Sequence, residues 1–247
     1  MKIIAHRGAS FYSPENTMSA FKLAETFNVD GIEMDIHMTR DKKLVVIHDK
    51  TTGRTGTDNF EVKTSTFSKL KKIDVGSWFG DSFNGEKIPL LLDVVENISE
   101  KLEFYIEIKT GTEIIDTFCE FLDKNKAVKN NITVISFNYD TVSELKKVRP
   151  DIKALWIVQY GYNVQVEKNM YKKVFKKIEN ASLNGISTHS ELEHCIKMAK
   201  TIKESNLIWN VWTVDNPFLA KKMLSLGVSS LTTNRPDWIM QHLFNVD

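Results

Sequence analysis

Short runs of β-branched and aliphatic residues alternate with longer runs of helical period along most of this chain, which is the pattern of strand–helix units that build a parallel sheet. Eight strands are expected to begin near Lys2-Ile3-Ile4-Ala5, Gly31-Ile32-Glu33-Met34-Asp35, Phe104-Tyr105-Ile106-Glu107-Ile108, Thr133-Val134-Ile135-Ser136, Ala154-Leu155-Trp156-Ile157-Val158, Gly185-Ile186-Ser187-Thr188, Trp209-Asn210-Val211-Trp212 and Ser229-Ser230-Leu231-Thr232. Helices fit between most of them, for example Thr17 to Phe27, Glu113 to Lys124, Ser190 to Lys203 and Phe218 to Leu226, the last stopped by Gly227.

Residues 51–88 break the rhythm. They carry Gly53, Gly56, Gly76, Gly80 and Gly85 among polar residues and two exposed-looking aromatics, Trp78 and Phe79. They read as an insertion following a Leu44-Val45-Val46-Ile47-His48 strand, standing at one end of the molecule either as a lid or substrate wall or as a plain surface loop.

With 247 residues, 42% of them hydrophobic, the chain can bury a full core, and an α/β barrel commonly occupies this length as one domain. Lysine plus arginine (33) nearly balances aspartate plus glutamate (32), so there is no bulk basic field to draw the protein to nucleic acid or to hold it on an anionic membrane. An anionic small molecule would have to be held by local charges. Cys119 and Cys195 fall in helical segments and do not form a disulfide framework. The first residues contain no apolar run of signal-peptide length, and no later run approaches the ~20 apolar residues of a spanning helix, so a cytoplasmic location is expected.

Strand parity gives the sharpest local signal. Residues i and i+2 share a face, so Glu33 and Asp35 point together while Ile32, Met34 and Ile36 point the other way. Glu107 and Lys109 repeat the spacing. Two ionised carboxylates side by side repel and lose hydration, and three converging on one barrel mouth would make a hard oxygen site for Mg²⁺ or Ca²⁺. Parity alone leaves a second reading open, in which these groups form structural ion bridges such as Glu107 to Lys109 or Glu33 to Arg7. His6-Arg7-Gly8 closes the first strand with an acid/base, a permanent cation and a flexible turn, and Val46-Ile47-His48-Asp49 supplies a second strand-end histidine. Each histidine taken singly reads equally as an ordinary satisfied side chain. His37 shares the parity of Asp35 and either approaches the site or begins a turn. His189, His194 and His242 lie in or beside helices with no metal-ligand spacing. Trp212, at a strand end, either walls a pocket or packs in the core.

Taken together, His6-Arg7-Gly8, Pro14-Glu15-Asn16-Thr17, Gly31-Ile32-Glu33-Met34-Asp35 through Thr39 and Asp41, and His48-Asp49 resemble the hallmark of the glycerophosphodiester phosphodiesterases. The likeness continues in order through Gly76-Ser77-Trp78-Phe79, Ile88-Pro89, Glu107-Ile108-Lys109, Ser136-Phe137-Asn138, Val211-Trp212-Thr213-Val214-Asp215 and Thr232-Thr233-Asn234-Arg235-Pro236. The resemblance implies a single domain over residues 1–247, a (β/α)8 TIM barrel with a small inserted subdomain at about 51–88. It implies that His6 and His48 are the acid/base pair and that Arg7 and Lys109 bind phosphate, with Trp212 as a substrate wall. It also implies that Glu33, Asp35 and Glu107 hold one divalent cation. The implied reaction is hydrolysis of a glycerophosphodiester to glycerol 3-phosphate and an alcohol. There are three departures from the pattern: Lys42 stands where glycine is common, Leu90 and Leu92 stand in a segment left with Asp93 as its only acid, and Tyr105 stands where a small polar residue is frequent.

Three rival readings are disfavoured, the first by the lack of a leader and of a cysteine framework and the other two by the histidines and carboxylates present. Phospholipase D-like toxins on this barrel are secreted and typically disulfide-bonded, a decayed binding barrel would lack a histidine or a carboxylate, and sugar-phosphate isomerases or aldolases do not pair two histidines with three carboxylates.

Overall fold

The structure is a computed structural model that describes residues 1–160 and 168–244. Its strands are β1 (Lys2–His6), β2 (Gly31–Met38), β3 (Leu44–Val46), β4 (Glu103–Ile108), β5 (Ile132–Ser136), β6 (Lys153–Val158), β7 (Gly185–His189), β8 (Ile208–Trp212) and β9 (Ser230–Thr233). All but β3 run parallel in the order β1-β9-β8-β7-β6-β5-β4-β2, and β2 pairs back onto β1, which closes an eight-stranded barrel. The helices are α1 (Met18–Thr26), α2 (Phe67–Leu70), α3 (Leu91–Asn97), α4 (Ile115–Lys124), α5 (Tyr139–Val148), α6 (Lys168–Asn180), α7 (Leu192–Glu204), α8 (Pro217–Ser225) and α9 (Pro236–Phe244). All but α2 and α3, which follow β3, come directly after barrel strands. No helix among the described residues is long and apolar enough to cross a membrane.

The alternation read in β2 and β4 is realised in the packing. Ile32, Met34 and Ile36 join Phe104, Ile106 and Ile108 in the apolar layer beneath the helices, leaving the odd-numbered positions for the barrel interior. The interior floor is Ile4, Tyr105, Ile135, Leu155 and Ile157. Tyr105, the departure from a small polar residue, is buried there and donates its hydroxyl to Ser230 Oγ at 3.1 Å. Ser230 in turn donates to Asn210 Oδ1 at 2.8 Å, and Asn210 donates to Ser187 Oγ at 2.8 Å, so the polar groups of the floor satisfy one another. Asp93 likewise serves as a cap, its carboxylate accepting from the Leu90 amide at 3.1 Å at the start of α3.

The Leu44–His48 segment is not a barrel strand. β3 returns antiparallel on β2, because the connection from Thr39 to Lys43 is a tight turn closed by the Lys42 amide on the Thr39 carbonyl at 3.0 Å. Lys42 takes φ 55 in that turn, the left-handed conformation that makes glycine common at its place. Leu44 and Val46 face the main core, whereas Val45 and Ile47 face a separate cluster with Val62, Leu70, Ile73, Val75 and Ile88. Residues 51–88 are therefore built on the outer face of β3 around their own apolar cluster. Trp78 is exposed and Phe79 half-buried, meeting it edge-on.

Gly8 sets how closely α1 can approach the end of β1. It holds φ +83, and a Cβ there would lie 2.6 Å from the Ala20 backbone carbonyl carbon. Gly8→Ala is expected to lose about 2–4 kcal/mol from left-handed strain plus overpacking, measured as a lower denaturant midpoint at unchanged slope. A change under about 0.5 kcal/mol, the scale of an ordinary surface substitution, would show that the turn relaxes freely.

Candidate active site

Register decides which side chains meet at the C-terminal mouth of the barrel. β1 aligns His6 with Glu33 of β2, and β2 aligns Asp35 with Glu107 of β4. These four groups, with Arg7 and Lys109 one step beyond their strands, surround one end of the barrel interior. A pocket of about 190 Å³ opens there, lined by His6, Arg7, Glu33, His48, Glu107, Lys109 and Trp212 among others. Of the eight residues singled out in the sequence, only Asp35 does not line it, being fully buried behind the others.

The three carboxylates each offer an oxygen within 4.8 Å of the others. Two cations face them. Lys109 Nζ lies 2.8 Å from Glu107 and 3.4 Å from Asp35 Oδ1, and Arg7 Nε lies 3.2 Å from Asp35 Oδ2. The expected Glu107–Lys109 ion bridge is therefore present, and the Arg7 backbone amide, not its guanidinium, donates to Glu33 at 3.0 Å. Burial, then repulsion from Asp35 and Glu107, pushes Glu33 well above the ordinary carboxylate range. Burial and the Asp35 charge raise Glu107 to about 7. Burial acts on Asp35 in the same sense, but Arg7 and Lys109 outweigh it and hold that carboxyl at about 2. Asp35 Oδ1 is buried and accepts no hydrogen bond among the described residues. A cluster in which burial and mutual repulsion push two carboxyls above their ordinary range, and in which one carboxylate oxygen has no hydrogen bond, has the donor set that a hard divalent cation would relieve, so the residues fit such an ion.

The histidines are oriented by groups distant in sequence. His6 Nδ1 lies 2.7 Å from Asn234 Oδ1. The Asn234 amide nitrogen donates to Asp215 Oδ2 at 2.7 Å, and a carboxylate only accepts, so the oxygen of the amide faces His6. His6 must then carry its proton on Nδ1, which leaves Nε2 with the lone pair. Burial and the neighbouring Arg7 lower His6 to about 4, so the ring is neutral near neutral pH. His48 Nδ1 lies 2.6 Å from Asp49 Oδ1, again leaving Nε2 for chemistry.

His48 does not itself end a strand, as its local pattern suggests. It lies two residues beyond β3, and the hairpin carries it to the mouth. His37 Nε2 donates to the His48 carbonyl at 3.1 Å, so His37 is neither a pocket residue nor a turn residue but a strand residue that pins the His48 backbone. His194 Nδ1 meets the Tyr171 hydroxyl at 2.6 Å, His242 Nδ1 meets the Trp238 carbonyl at 2.8 Å, and His189 closes β7 edge-on to Trp212. Trp212 lines the pocket, and its buried indole nitrogen has no hydrogen bond among the described residues.

Residues not singled out from sequence complete the site. Thr17 is the N-cap of α1, whereas Asn16, in a left-handed conformation, donates to Asp35 Oδ2 at 2.8 Å and accepts from the Asp35 amide at 3.2 Å. Asn16 and Asn234 sit inside motifs legible as motifs, but their partners are set by the fold alone.

The model of the glycerophosphoryl diester phosphodiesterase family matches residues 6–238. YhdW of Bacillus subtilis is 36% identical over 244 residues, covering 98% of this chain and 97% of its own. A glycerophosphodiester phosphodiesterase of Caldanaerobacter subterraneus subsp. tengcongensis is 33% identical over 246 residues, covering 96% of each chain. Among solved structures, an Oleispira antarctica phosphodiesterase in complex with the product sn-glycerol-3-phosphate superposes with a TM-score of 0.85 at 24% identity, covering 98% of this chain and 96% of that one, which bears on the fold. The chain belongs to the glycerophosphoryl diester phosphodiesterase family and is an enzyme of that class.

Proposed function

We propose that this protein, acting as one domain over residues 1–247 with its insertion at about 51–88, hydrolyses glycerophosphodiesters to glycerol 3-phosphate and an alcohol by a metal-dependent, two-histidine mechanism. Glu33, Asp35 and Glu107 would hold one divalent cation, Mg²⁺ or Ca²⁺, which when bound neutralises phosphate charge and acts as a Lewis acid. The observation that carries the reading is that His6 and His48, from separate segments, line one pocket with each Nδ1 engaged by an oxygen and each Nε2 left for proton transfer.

A phosphodiester needs its charge neutralised, an attacking oxygen deprotonated and a leaving alkoxide protonated. Arg7 and Lys109 bind the phosphate oxygens. His6, neutral and with its lone pair on Nε2, takes the proton of the attacking oxygen as the new P–O bond forms. His48, held against Asp49, gives a proton to the alcohol oxygen as the old P–O bond breaks. Trp212 walls the substrate. The product complex of the Oleispira antarctica phosphodiesterase supports glycerol 3-phosphate as the common product. We place the enzyme in the cytoplasm, a reading supported by two unpaired cysteines, Cys195 buried and Cys119 partly so.

A panel of glycerophosphodiesters incubated with the protein and Mg²⁺ or Ca²⁺ is expected to release glycerol 3-phosphate from at least one member. No release from any member with either ion would overturn the assignment.

A further inference from the structure

Arg54 lies in the insertion, 45% of its side chain exposed, and belongs to neither the carboxylate cluster nor the histidine pair. Its guanidinium nevertheless bridges two carboxylates that each lead into the pocket. Nε donates to Asp49 Oδ2 at 2.6 Å, and Asp49 holds His48 through its other oxygen. The two terminal nitrogens donate to Glu15 as a fork at 2.9 and 2.7 Å, and Glu15 Oε1 also accepts from Arg7 at 2.9 Å. Arg7 then reaches Asp35.

We infer that Arg54 is a positioning residue through which the inserted segment sets the pose of both His48 and Arg7, so that the insertion completes the active site instead of merely covering it. This rests on the reading of His48 as an acid/base group and Arg7 as a phosphate ligand.

The geometry argues for this in three ways. First, Arg54 uses three nitrogens on two different carboxylates, a planar fork that a point-charge side chain cannot reproduce. Second, each carboxylate divides its oxygens or lone pairs between Arg54 and a pocket residue, so neither can move without the other. Burial would raise Glu15, but Arg54 and Arg7 outweigh it and keep it ionised, able to accept from both. Third, the insertion packs on β3 through its own apolar cluster, which carries no hydrogen-bonding group, whereas Arg54 links it by hydrogen bonds to the two carboxylates that hold His48 and Arg7. A catalytic group misplaced by about 1 Å can cost on the order of 10²-fold in rate, so a remote tie of this kind is enough to set activity.

The test is a split between kcat and KM. Arg54→Gln is expected to lower kcat about 10- to 100-fold and to raise KM for the diester about 10-fold, because it releases both branches. Asp49→Asn should lower kcat at nearly constant KM, and Glu15→Gln should raise KM chiefly. Both are near-isosteric and keep the test open even if Arg54→Gln does not fold, which its exposure argues against. In a His48→Ala background, Arg54→Gln should cost no further kcat yet still raise KM. Arg54→Gln within twofold of the wild type in both constants, or costing the same kcat with and without His48, would overturn the inference while the histidine reading stands. Near wild-type kcat in His48→Ala, or unchanged KM in Arg7→Ala, would overturn that reading and the inference with it.

Discussion

His6→Ala and His48→Ala are each expected to lower kcat by at least about 10² to 10⁴, the usual worth of one acid/base group, while the unfolding midpoint stays near that of the wild type. Both side chains line the pocket, so truncation enlarges an existing cavity and does not open a buried apolar void. In the proposed mechanism the two act in one step, with one proton leaving the attacking oxygen and another reaching the departing one, so the double variant should be little slower than the worse single variant. Losses that multiply instead would show that the histidines serve separate steps. The pH profile carries a further sign. Burial and Arg7 lower His6 to about 4, so its base form persists well below its usual 6.5, and the acid limb of kcat/KM should lie below that value. The glycerol moiety carries a hydroxyl beside the phosphate, which makes an internal attack geometrically available before water. A 2-deoxyglycerol analogue cleaved at the normal rate would exclude the internal route and leave the histidine pairing intact. Turnover near the wild type in either single variant would refute the pairing.

How far the site was legible depended on whether its geometry is local. Parity placed Glu33 and Asp35 on one face of β2 and Glu107 with Lys109 on one face of β4, because the period of two is a property of any strand. That the two faces meet depends on register, which pairs Asp35 with Glu107 across 72 positions, and no strand pattern states it. His48 reads as a strand end because Leu44-Val45-Val46-Ile47 has strand composition. What turns it into a hairpin is the turn from Thr39 to Lys43, where Lys42 holds a glycine-like conformation. The relay from His6 through Asn234 to Asp215 spans the closure of the barrel between β1 and β9, and the Arg54 bridge links an insertion to the first loop. Both are contacts of high sequence separation between polar residues common in loops, so composition carried no trace of them. Tyr105 shows the reverse case: an unusual residue at a site strand turned out to fill the barrel floor, where its hydroxyl finds Ser230.

Chelation of the divalent ion is expected to abolish turnover, and the same carboxylates should make the ion's effect on stability rise with pH. Glu33 and Glu107 are raised above the ordinary glutamate value of 4.5, so in the ion-free protein the folded state binds more protons than the unfolded chain from about pH 4.5 upward. Stability must then fall as pH rises through that window, to and beyond the value of about 7 reached by Glu107. Asp35 is shifted the other way, to about 2, and its favourable contribution is complete by about pH 5, so it does not change sign within the window. A bound cation would take the place of those protons, and an ion present at about 100 times its dissociation constant contributes about 2.7 kcal/mol. The rise in unfolding temperature on adding Mg²⁺ or Ca²⁺ should therefore be larger at pH 8 than at pH 5.5. Glu107→Gln separates this from a purely structural role, because it removes a charge that repels Asp35. It should make the ion-free protein more stable at pH 8 and erase most of the ion's stabilisation, with turnover lost. Full activity after exhaustive EDTA, or an ion-induced shift equal at the two pH values, would show that the three carboxylates serve only as partners of Arg7 and Lys109.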